Sequence, residues 1–170
     1  NLKSVSKALD FLNAEHKITD SPKDIQNSDK IIFPGVGNFG QVMSQLRKLK
    51  LTVPIKKFIL SGKPYLGICI GMQVLFEGSE ESPTEKGLGI FKGKVKKLST
   101  EFKIPQIGWN SVKIKKESAL FNGIKDGTYF YFVHSYYGSP SEKSIILATT
   151  DYGSEFVSAV GKDNIYATQF

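Results

Sequence analysis

Two short apolar runs, each followed by a turn and then by a helical pattern, constrain the fold of this chain most strongly. The first covers residues 31–33 and stops at Pro34-Gly35, and the second covers residues 64–69. Short uncharged runs of this kind are typical of strands that are buried on both faces of a sheet. Because strand and helix alternate in the first half of the chain, the pattern predicts βα units and a central, largely parallel sheet.

Apolar residues at steps of three and four predict the helices that flank this sheet. The first helix covers residues 2–12, the second covers residues 39–49, and the third covers residues 53–60. Gly62 supplies a left-handed cap after the third helix, and residues 72–76 are predicted to start a fourth helix.

The second half of the chain, from Gly89 onward, has a different character. It is rich in β-forming residues, and Gly161-Lys162-Asp163-Asn164 is typical of a hairpin turn. No repeat or linker divides the chain, so residues 1–170 are predicted to form a single domain of the α/β class. Its central sheet is largely parallel or mixed with flanking helices, and the β-rich C-terminal half extends that sheet or packs a small second one against it.

The net charge of +7 raises the question of a nucleic-acid partner. Of the 23 basic residues only Arg47 is arginine, whereas recognition of bases and phosphates favours the planar guanidinium group. We therefore predict no nucleic-acid partner and expect the lysines of the β-rich half to face solvent, with an acidic partner surface or ligand as the alternative. These lysines are Lys92, Lys94, Lys96, Lys97, Lys113, Lys115 and Lys116.

Composition also limits the location and the chemistry of the protein. No apolar run approaches the roughly 20 residues that a membrane helix needs, and no signal peptide opens the chain, so we expect a cytoplasmic protein without a membrane partner. One cysteine and two histidines provide neither a disulfide framework nor a zinc ligand set. No metal or organic cofactor is implied.

The cysteine lies in a pattern that is typical of a catalytic nucleophile. Gly67-Ile68-Cys69-Ile70-Gly71 places Cys69 between two glycines, directly between a predicted strand and a predicted helix. Such a turn forces the nucleophile into a strained backbone conformation. The helix that follows is expected to lower the pKa of the thiol, and the amide of Ile70 would point at a developing oxyanion. The alternative is an inert cysteine in the core.

A glycine-rich turn, residues 34–39, follows the first strand and is expected at the same edge of the sheet as Cys69. Val36 or Gly37 could provide a second backbone amide to an oxyanion hole that includes Ile70. A phosphate-binding loop is an alternative, since Gly35, Gly37 and Gly40 match Gly-x-Gly-x-x-Gly. The proline break and the lack of an acidic residue about 20 positions on disfavour this alternative.

Six motifs occur in the order that is found in one enzyme family. With Gly-x-Cys-x-Gly-Met-Gln among them, the chain resembles the class I glutamine amidotransferases along residues 1–170. Gly-Trp-Asn and Phe-Val-His-Ser-Tyr make it similar to the glutaminase subunits of imidazole glycerol phosphate synthases. The motifs are Pro34-Gly35-Val36-Gly37, Gly67-Ile68-Cys69-Ile70-Gly71-Met72-Gln73, Gly87-Leu88-Gly89, Ile107-Gly108-Trp109-Asn110, Tyr131-Phe132-Val133-His134-Ser135-Tyr136 and Ala167-Thr168-Gln169-Phe170.

The resemblance implies a function and a role for each site residue. Cys69 would attack L-glutamine to form a thioester, and the released ammonia would pass to a (β/α)8-barrel cyclase subunit in a heterodimer that serves histidine biosynthesis. Trp109 and Tyr131 would face that subunit, although core aromatics are the alternative reading. Ile70, Val36 and Gly37 would form the oxyanion hole. The glutamine-binding residues would be Gly35, Gln73, Glu81, Ser135 and Tyr136.

The family's catalytic His and its orienting Glu belong to a His-Pro-Glu motif directly after Thr-Gln-Phe, where this sequence stops at Phe170. We therefore expect the 170 residues to be part of a longer protein and to hydrolyse glutamine hardly at all by themselves. His134 is a weak candidate for a substitute base, because a core histidine is the commoner role, and His16 is expected to be solvated. Two other functions stay open, an amidotransferase that serves another pathway such as surface-sugar amidation, and a non-catalytic scaffold.

Overall fold

A computed structural model describes residues 2–170 as helices packed around one mixed sheet, with two smaller sheets beside it. The helices are α1 (Leu2–Phe11), α2 (Pro22–Asn27), α3 (Phe39–Lys48), α4 (Thr52–Leu60) and α5 (Ile70–Gln73). The first six strands are β1 (Ile31–Phe33), β2 (Tyr65–Ile68), β3 (Gly78–Ser79), β4 (Ser82–Lys86), β5 (Gly93–Lys97) and β6 (Gln106–Ser111). The others are β7 (Lys113–Ile114), β8 (Tyr129–His134), β9 (Tyr136–Pro140), β10 (Ile146–Asp151), β11 (Glu155–Lys162) and β12 (Ile165–Thr168).

The main sheet has six strands in the order β1-β2-β12-β11-β10-β7. β1 and β12 both pair with β2 in parallel, while β11, β10 and β7 continue the sheet in antiparallel fashion. The predicted mixed α/β sheet is therefore confirmed, and its parallel part comprises three strands. The chain returns from the β-rich half to place β12 directly beside the strand that leads to Cys69.

The β-rich half both extends the main sheet and forms separate sheets. β4, β3, β5 and β9 form a four-stranded sheet in that order, and β6 pairs with β8 as a two-stranded ribbon. The exposed lysines on β5 and near β7 face solvent as predicted. The predicted hairpin is also present, with its turn at Asp163-Asn164 between β11 and β12.

Two apolar clusters hold these layers together. In the larger one, buried faces of α3 and α4 cover the parallel strands, with Phe39 and Phe58 among the buried side chains. The smaller one centres on Phe132 and Phe156, beneath the β6–β8 ribbon. Strand β10 contributes residues to both clusters, and the single-domain assignment stays a prediction.

The helix predictions are mostly confirmed, with one difference after Cys69. α1, α3 and α4 lie where apolar spacing predicts them, and Gly62 adopts φ +83° after α4. The helix predicted to start at residues 72–76 is present but earlier and shorter, because α5 begins at Ile70 and ends at Gln73. The carbonyls of the next three residues instead accept hydrogen bonds from the amides of residues 88–91, which draws the chain out of the helix. α2, which Ser21 caps, was not predicted.

Among residues 2–170, no helix has the length and apolar character that crossing a bilayer requires.

The contact between β9 and the main core leads to a stability prediction. A Cβ atom on Gly138 would lie 2.3 Å from Cε2 of Phe76, a ring that is fully buried and packed edge-on against Phe91. Gly138→Ala is therefore expected to lower the free energy of unfolding by about 1–3 kcal/mol, as overpacked cores do. Urea denaturation of both proteins measures the difference. Gly78→Ala is the matched control, since its Cβ would meet only the Glu85 carbonyl at 3.4 Å.

Candidate active site

Cys69 occupies a strained turn between β2 and α5. Its backbone has φ +54° and ψ −106°, in a region that residues with a side chain seldom adopt. The amide of Cys69 donates to the Thr168 carbonyl at 2.8 Å, and its own carbonyl accepts from the amides of Met72 and Gln73 at 2.9 and 3.2 Å. Hydrogen bonds on both sides of the residue therefore hold the strain, as nucleophile turns require.

The two glycines of the turn are explained by close backbone contacts. A Cβ on Gly67 would lie 2.4 Å from the Gly71 carbonyl oxygen, and a Cβ on Gly71 would lie 1.8 Å from the Phe33 carbonyl oxygen. The hydroxyl of Tyr65 donates to the same Gly71 carbonyl at 2.9 Å. The turn thus packs directly on the end of β1, with no room for side chains at either position.

The pKa of the Cys69 thiol is raised overall, although the amide of Ile70, the first residue of the following helix, lowers it as expected. Burial of the sulfur is the main cause, and hydrogen bonds from the Ile70 amide and the Gln169 side chain oppose it. α5 has only four residues, which makes its dipole a weak source of positive potential. The thiolate is therefore supported by two neutral donors, the first amide of α5 and the side-chain amide of Gln169.

The glycine-rich turn lies beside the nucleophile, as the sequence predicts. A Cβ on Gly35 would lie 2.8 Å from Cγ2 of Ile70, so the two turns are in contact. Gly37 has φ +132°, and the Val36 side chain is 62% exposed, so packing of this side chain does not hold the turn. The roles of Val36, Gly37 and Ile70 in an oxyanion hole stay predictions.

Glu81 meets the far end of the same turn. One of its carboxylate oxygens accepts from the Phe39 amide at 2.7 Å, and the Ser82 hydroxyl accepts from the Gly40 amide at 3.1 Å. A carboxylate at the first amides of α3 argues against the phosphate-loop alternative, because it would repel a bound phosphate. Glu81 is half-buried beside residues 34–39, and its predicted contact with the ammonium group of glutamine stays a prediction.

Gln73 and Tyr136 are brought together by hydrogen bonds. Gln73 Nε2 donates to the Tyr136 carbonyl at 3.2 Å and to Gln169 Oε1 at 3.1 Å, and Gln169 Nε2 in turn donates to Cys69 Sγ at 3.4 Å. The carbonyl of Ser135 accepts from the Leu98 amide, which pins the turn between β8 and β9. Gln169 was not among the site residues predicted from the sequence, although it belongs to the Ala-Thr-Gln-Phe motif. The binding roles of Gln73, Ser135 and Tyr136 stay predictions.

His134 is a buried structural histidine. Its Nδ1 lies 2.9 Å from the Tyr136 carbonyl oxygen and its Nε2 lies 3.0 Å from the Gln106 side-chain oxygen, while its ring packs on Phe132 and Phe156. Burial lowers its pKa to about 4. Both ring nitrogens are occupied by these neighbours, so His134 does not serve Cys69 as a base.

His16 lies after the end of α1 and folds back onto that helix. It contacts the Ser6 hydroxyl and the Ala14 carbonyl, and it is half-buried rather than fully solvated. Among residues 2–170, neither histidine therefore makes a hydrogen bond to the Cys69 sulfur.

The aromatic pair predicted at a partner face lies on the surface. Trp109 and Tyr131 are cross-strand neighbours on β6 and β8, with ring centroids 5.8 Å apart and exposed fractions of 71% and 50%. The alternative reading as core aromatics is therefore wrong. Ile107, Tyr129 and Val133 are exposed on the same ribbon, and we call these five residues the ribbon face.

The lowered pKa of His134 predicts a loss of stability at mildly acidic pH. The unfolded chain takes up a proton near pH 6.5 while the folded one resists until about pH 4, so this contribution is present above pH 6.5 and is lost as the pH falls toward 4. Between pH 7 and pH 5 the loss amounts to about 2 kcal/mol. Urea denaturation at both pH values measures it. His134→Gln should flatten the difference, and an unchanged difference in this variant would contradict the assignment.

Comparison with known proteins agrees with this geometry. Residues 2–170 match the family model described as glutamine amidotransferase class-I. The chain is 54% identical over its whole length to the "Imidazole glycerol phosphate synthase subunit HisH" of Pyrococcus furiosus, of which it covers 84%. It is 51% identical to the protein of the same name from Methanocaldococcus jannaschii, of which it covers 85%.

Solved structures show the same fold at low sequence identity. A glutamine amidotransferase crystal structure superimposes with a TM-score of 0.78 at 16% identity, and the match covers the whole of this chain and 84% of that one. The glutaminase domain of a Trypanosoma brucei CTPS with bound acivicin gives a TM-score of 0.67 at 17% identity, over 99% of this chain and 77% of that one. These structures show the fold alone, whereas the family model and the two relatives show that the chain belongs to the class I glutamine amidotransferases.

Proposed function

We propose that this chain is the glutaminase subunit of an imidazole glycerol phosphate synthase, which hydrolyses L-glutamine and delivers the ammonia to a cyclase subunit for histidine biosynthesis. The observation that carries the proposal is the strained Cys69 turn in contact with the glycine-rich turn at Gly35. High identity over the full chain to relatives of that name supports this branch of the family. A subunit of a biosynthetic synthase would work in the cytoplasm.

The chemistry divides one hydrolysis into two steps. The Cys69 thiolate attacks the side-chain amide carbon of glutamine, a C–S bond forms, the C–N bond breaks, and ammonia leaves with the proton that the thiol gave up. Water then attacks the thioester, releases glutamate and returns the thiol. The family resemblance assigns proton transfer to the histidine of the His-Pro-Glu motif, and no metal or organic cofactor takes part in this scheme.

Backbone amides would stabilise the oxyanion in both steps. Ile70 is held next to the sulfur, and the peptide of Val36 or Gly37 would complete the hole from the neighbouring turn. Because the Val36 side chain is exposed, its peptide can reorient without loss of side-chain packing. We propose that binding of the cyclase selects the competent orientation, which would prevent wasteful hydrolysis in the free subunit.

Glutamine would be held by the groups around these two turns. The free oxygen of the Glu81 carboxylate suits the ammonium group, while backbone amides at Gly35 and in the Ser135-Tyr136 segment would donate to the carboxylate, and Gln73 would contact the same amino-acid end of the substrate. The hydrogen bonds that already orient Glu81 and Gln73 reduce the entropy lost on binding.

The cyclase would be a (β/α)8 barrel, and we propose that it docks on the ribbon face. Five exposed apolar side chains on a short ribbon form the kind of patch that marks a protein interface. Trp and Tyr are also the residues that most often dominate binding energy. Closing this face against a partner would keep water from the ammonia as it crosses.

Loss of the nucleophile gives the first test of the proposed function. Cys69→Ala in the full-length protein should reduce ammonia release, measured with saturating cyclase, by at least about 10³-fold, because no thioester can form. Circular dichroism and the melting temperature check that the variant folds. Unchanged turnover would contradict the mechanism. Stimulation by another synthase, and not by the cyclase, would favour the alternative pathway, and wild-type protein without activity in any pairing would favour a scaffold.

The ribbon face gives a second test. Trp109→Ala should weaken binding of the cyclase at least about 30-fold, the effect of losing ~2 kcal/mol at an aromatic anchor, as measured by calorimetry. Leu60→Ala is the matched control, because Leu60 is a 76% exposed apolar residue at the end of α4, away from the ribbon. Equal affinity of the Trp109 variant and the wild type would place the interface elsewhere.

A further inference from the structure

We propose that Gln169 is a further catalytic residue, whose side-chain amide is locked with its N–H group toward the Cys69 sulfur and stabilises the thiolate each time it forms. The inference rests on the proposed function only in taking Cys69 as the reacting group. Gln73 is the positioning residue that sets the direction of the Gln169 amide.

The contact is made from a rigid position. Gln169 directly follows β12, is 1% exposed, and donates its backbone amide to the Ser158 carbonyl at 2.9 Å. Its Nε2 lies 3.4 Å from Cys69 Sγ, which is a normal distance for a hydrogen bond to sulfur. A glutamine side chain loses substantial rotamer entropy on burial. Here the oxygen and the NH₂ group of the Gln169 amide both form hydrogen bonds, to Gln73 and to Cys69.

The direction of the Gln169 amide follows from a chain of donors and acceptors. The Tyr136 carbonyl has no proton to give, so the end of the Gln73 amide that faces it must be the NH₂ group. The same NH₂ group faces Gln169, so that the oxygen of Gln169 points toward Gln73. The NH₂ group of Gln169 is left to face the sulfur. Reversing either amide would place two NH₂ groups or two oxygens face to face. The Tyr136 carbonyl therefore fixes, through Gln73 and Gln169, which atom of the Gln169 amide faces the Cys69 sulfur.

No charged group takes over this task in the described part of the chain. The hydrogen bonds on the sulfur come from the Ile70 amide and from Gln169, and burial opposes both. The titratable side chains of the surrounding strands are engaged elsewhere. Tyr65 on β2 donates to the Gly71 carbonyl, and His134 at the end of β8 contacts the Tyr136 carbonyl and Gln106. A neutral donor in a dry site is worth more to an anion than the same donor in water.

The Gln169 donor matters most when the Ile70 amide is occupied. Ile70 would bind the oxyanion of each tetrahedral intermediate, and Gln169 would then be the remaining side-chain donor to the sulfur. In the first step it stabilises the attacking thiolate. In the second step the C–S bond breaks, the sulfur leaves with the electron pair, and the same N–H stabilises it until it is protonated. Gln169 keeps both of its amide protons throughout.

The test measures the thiol without using the glutaminase reaction. Full-length protein is alkylated with iodoacetamide in the absence of glutamine at a series of pH values, and modification of the peptide that contains Cys69 is followed by mass spectrometry. The midpoint of the rate profile reports the pKa of the Cys69 thiol. A protein that releases no ammonia can still be alkylated, and its midpoint can still be measured. Failure of the proposed function is therefore distinguishable from failure of this inference.

Three variants separate the donor from the packing. Gln169→Met removes the donor at similar volume and should raise the midpoint by about one pH unit. Gln169→Glu keeps an acceptor for Gln73 but turns an oxygen toward the sulfur, and it should raise the midpoint further. Ser158→Ala is the control. Among residues 2–170 the buried Ser158 hydroxyl has no hydrogen-bond partner, and the substitution keeps the backbone carbonyl that accepts from the Gln169 amide. It should leave the midpoint unchanged.

The melting temperature of each variant shows whether it folds. Both a shifted and an unshifted alkylation midpoint can therefore be interpreted. A rise for both Gln169 variants, with none for Ser158→Ala, supports the inference. Gln73→Met should give a smaller rise, since the Gln169 amide is then free to rotate. The inference is overturned if folded Gln169→Met or folded Gln169→Glu alkylates with the midpoint of the wild type, or if Ser158→Ala shifts it equally.

Discussion

The parallel pairing of β12 with β2 is the contact on which the rest of the site depends. It joins the last strand of the chain to the strand that carries the nucleophile, over the register from Ile165↔Tyr65 to Thr168↔Ile68. The hydrogen bond from the Cys69 amide to the Thr168 carbonyl extends this pairing by one residue. Hydrogen bonds tie the strained turn to a neighbouring strand. The stability of the whole sheet therefore offsets the cost of the strained Cys69 conformation.

The same pairing brings Gln169 to the sulfur. Gln169 comes one residue after the end of β12, and Cys69 comes one residue after the end of β2. Parallel strands end at the same edge of a sheet, so both side chains reach the same space. The glycine-rich turn after β1 meets them there, since β1 is the parallel neighbour on the other side of β2. Three strand ends thus build one site.

Electrostatics at this site depends on neutral groups. Burial raises the pKa of the Cys69 thiol, and the donors that oppose it are a backbone amide and a primary amide. The one buried histidine nearby is held neutral by its own burial and contacts the carbonyl that also orients Gln73. Burial therefore favours the protonated thiol over the thiolate at this site.

The local features of this protein could be read from the sequence alone. Apolar spacing predicted α1, α3 and α4, and the Gly-x-Cys-x-Gly pattern predicted the strained turn, because both depend on residues close together in the chain. What only the tertiary structure decided were contacts between distant segments. α5 ends early because residues 88–91 take its next carbonyls, Cys69 has a raised pKa because the surrounding strands bury it, and Gln169 reaches the sulfur because β12 returns to β2. Burial and long-range strand pairing depend on the entire folded chain, so a local sequence pattern does not predict them.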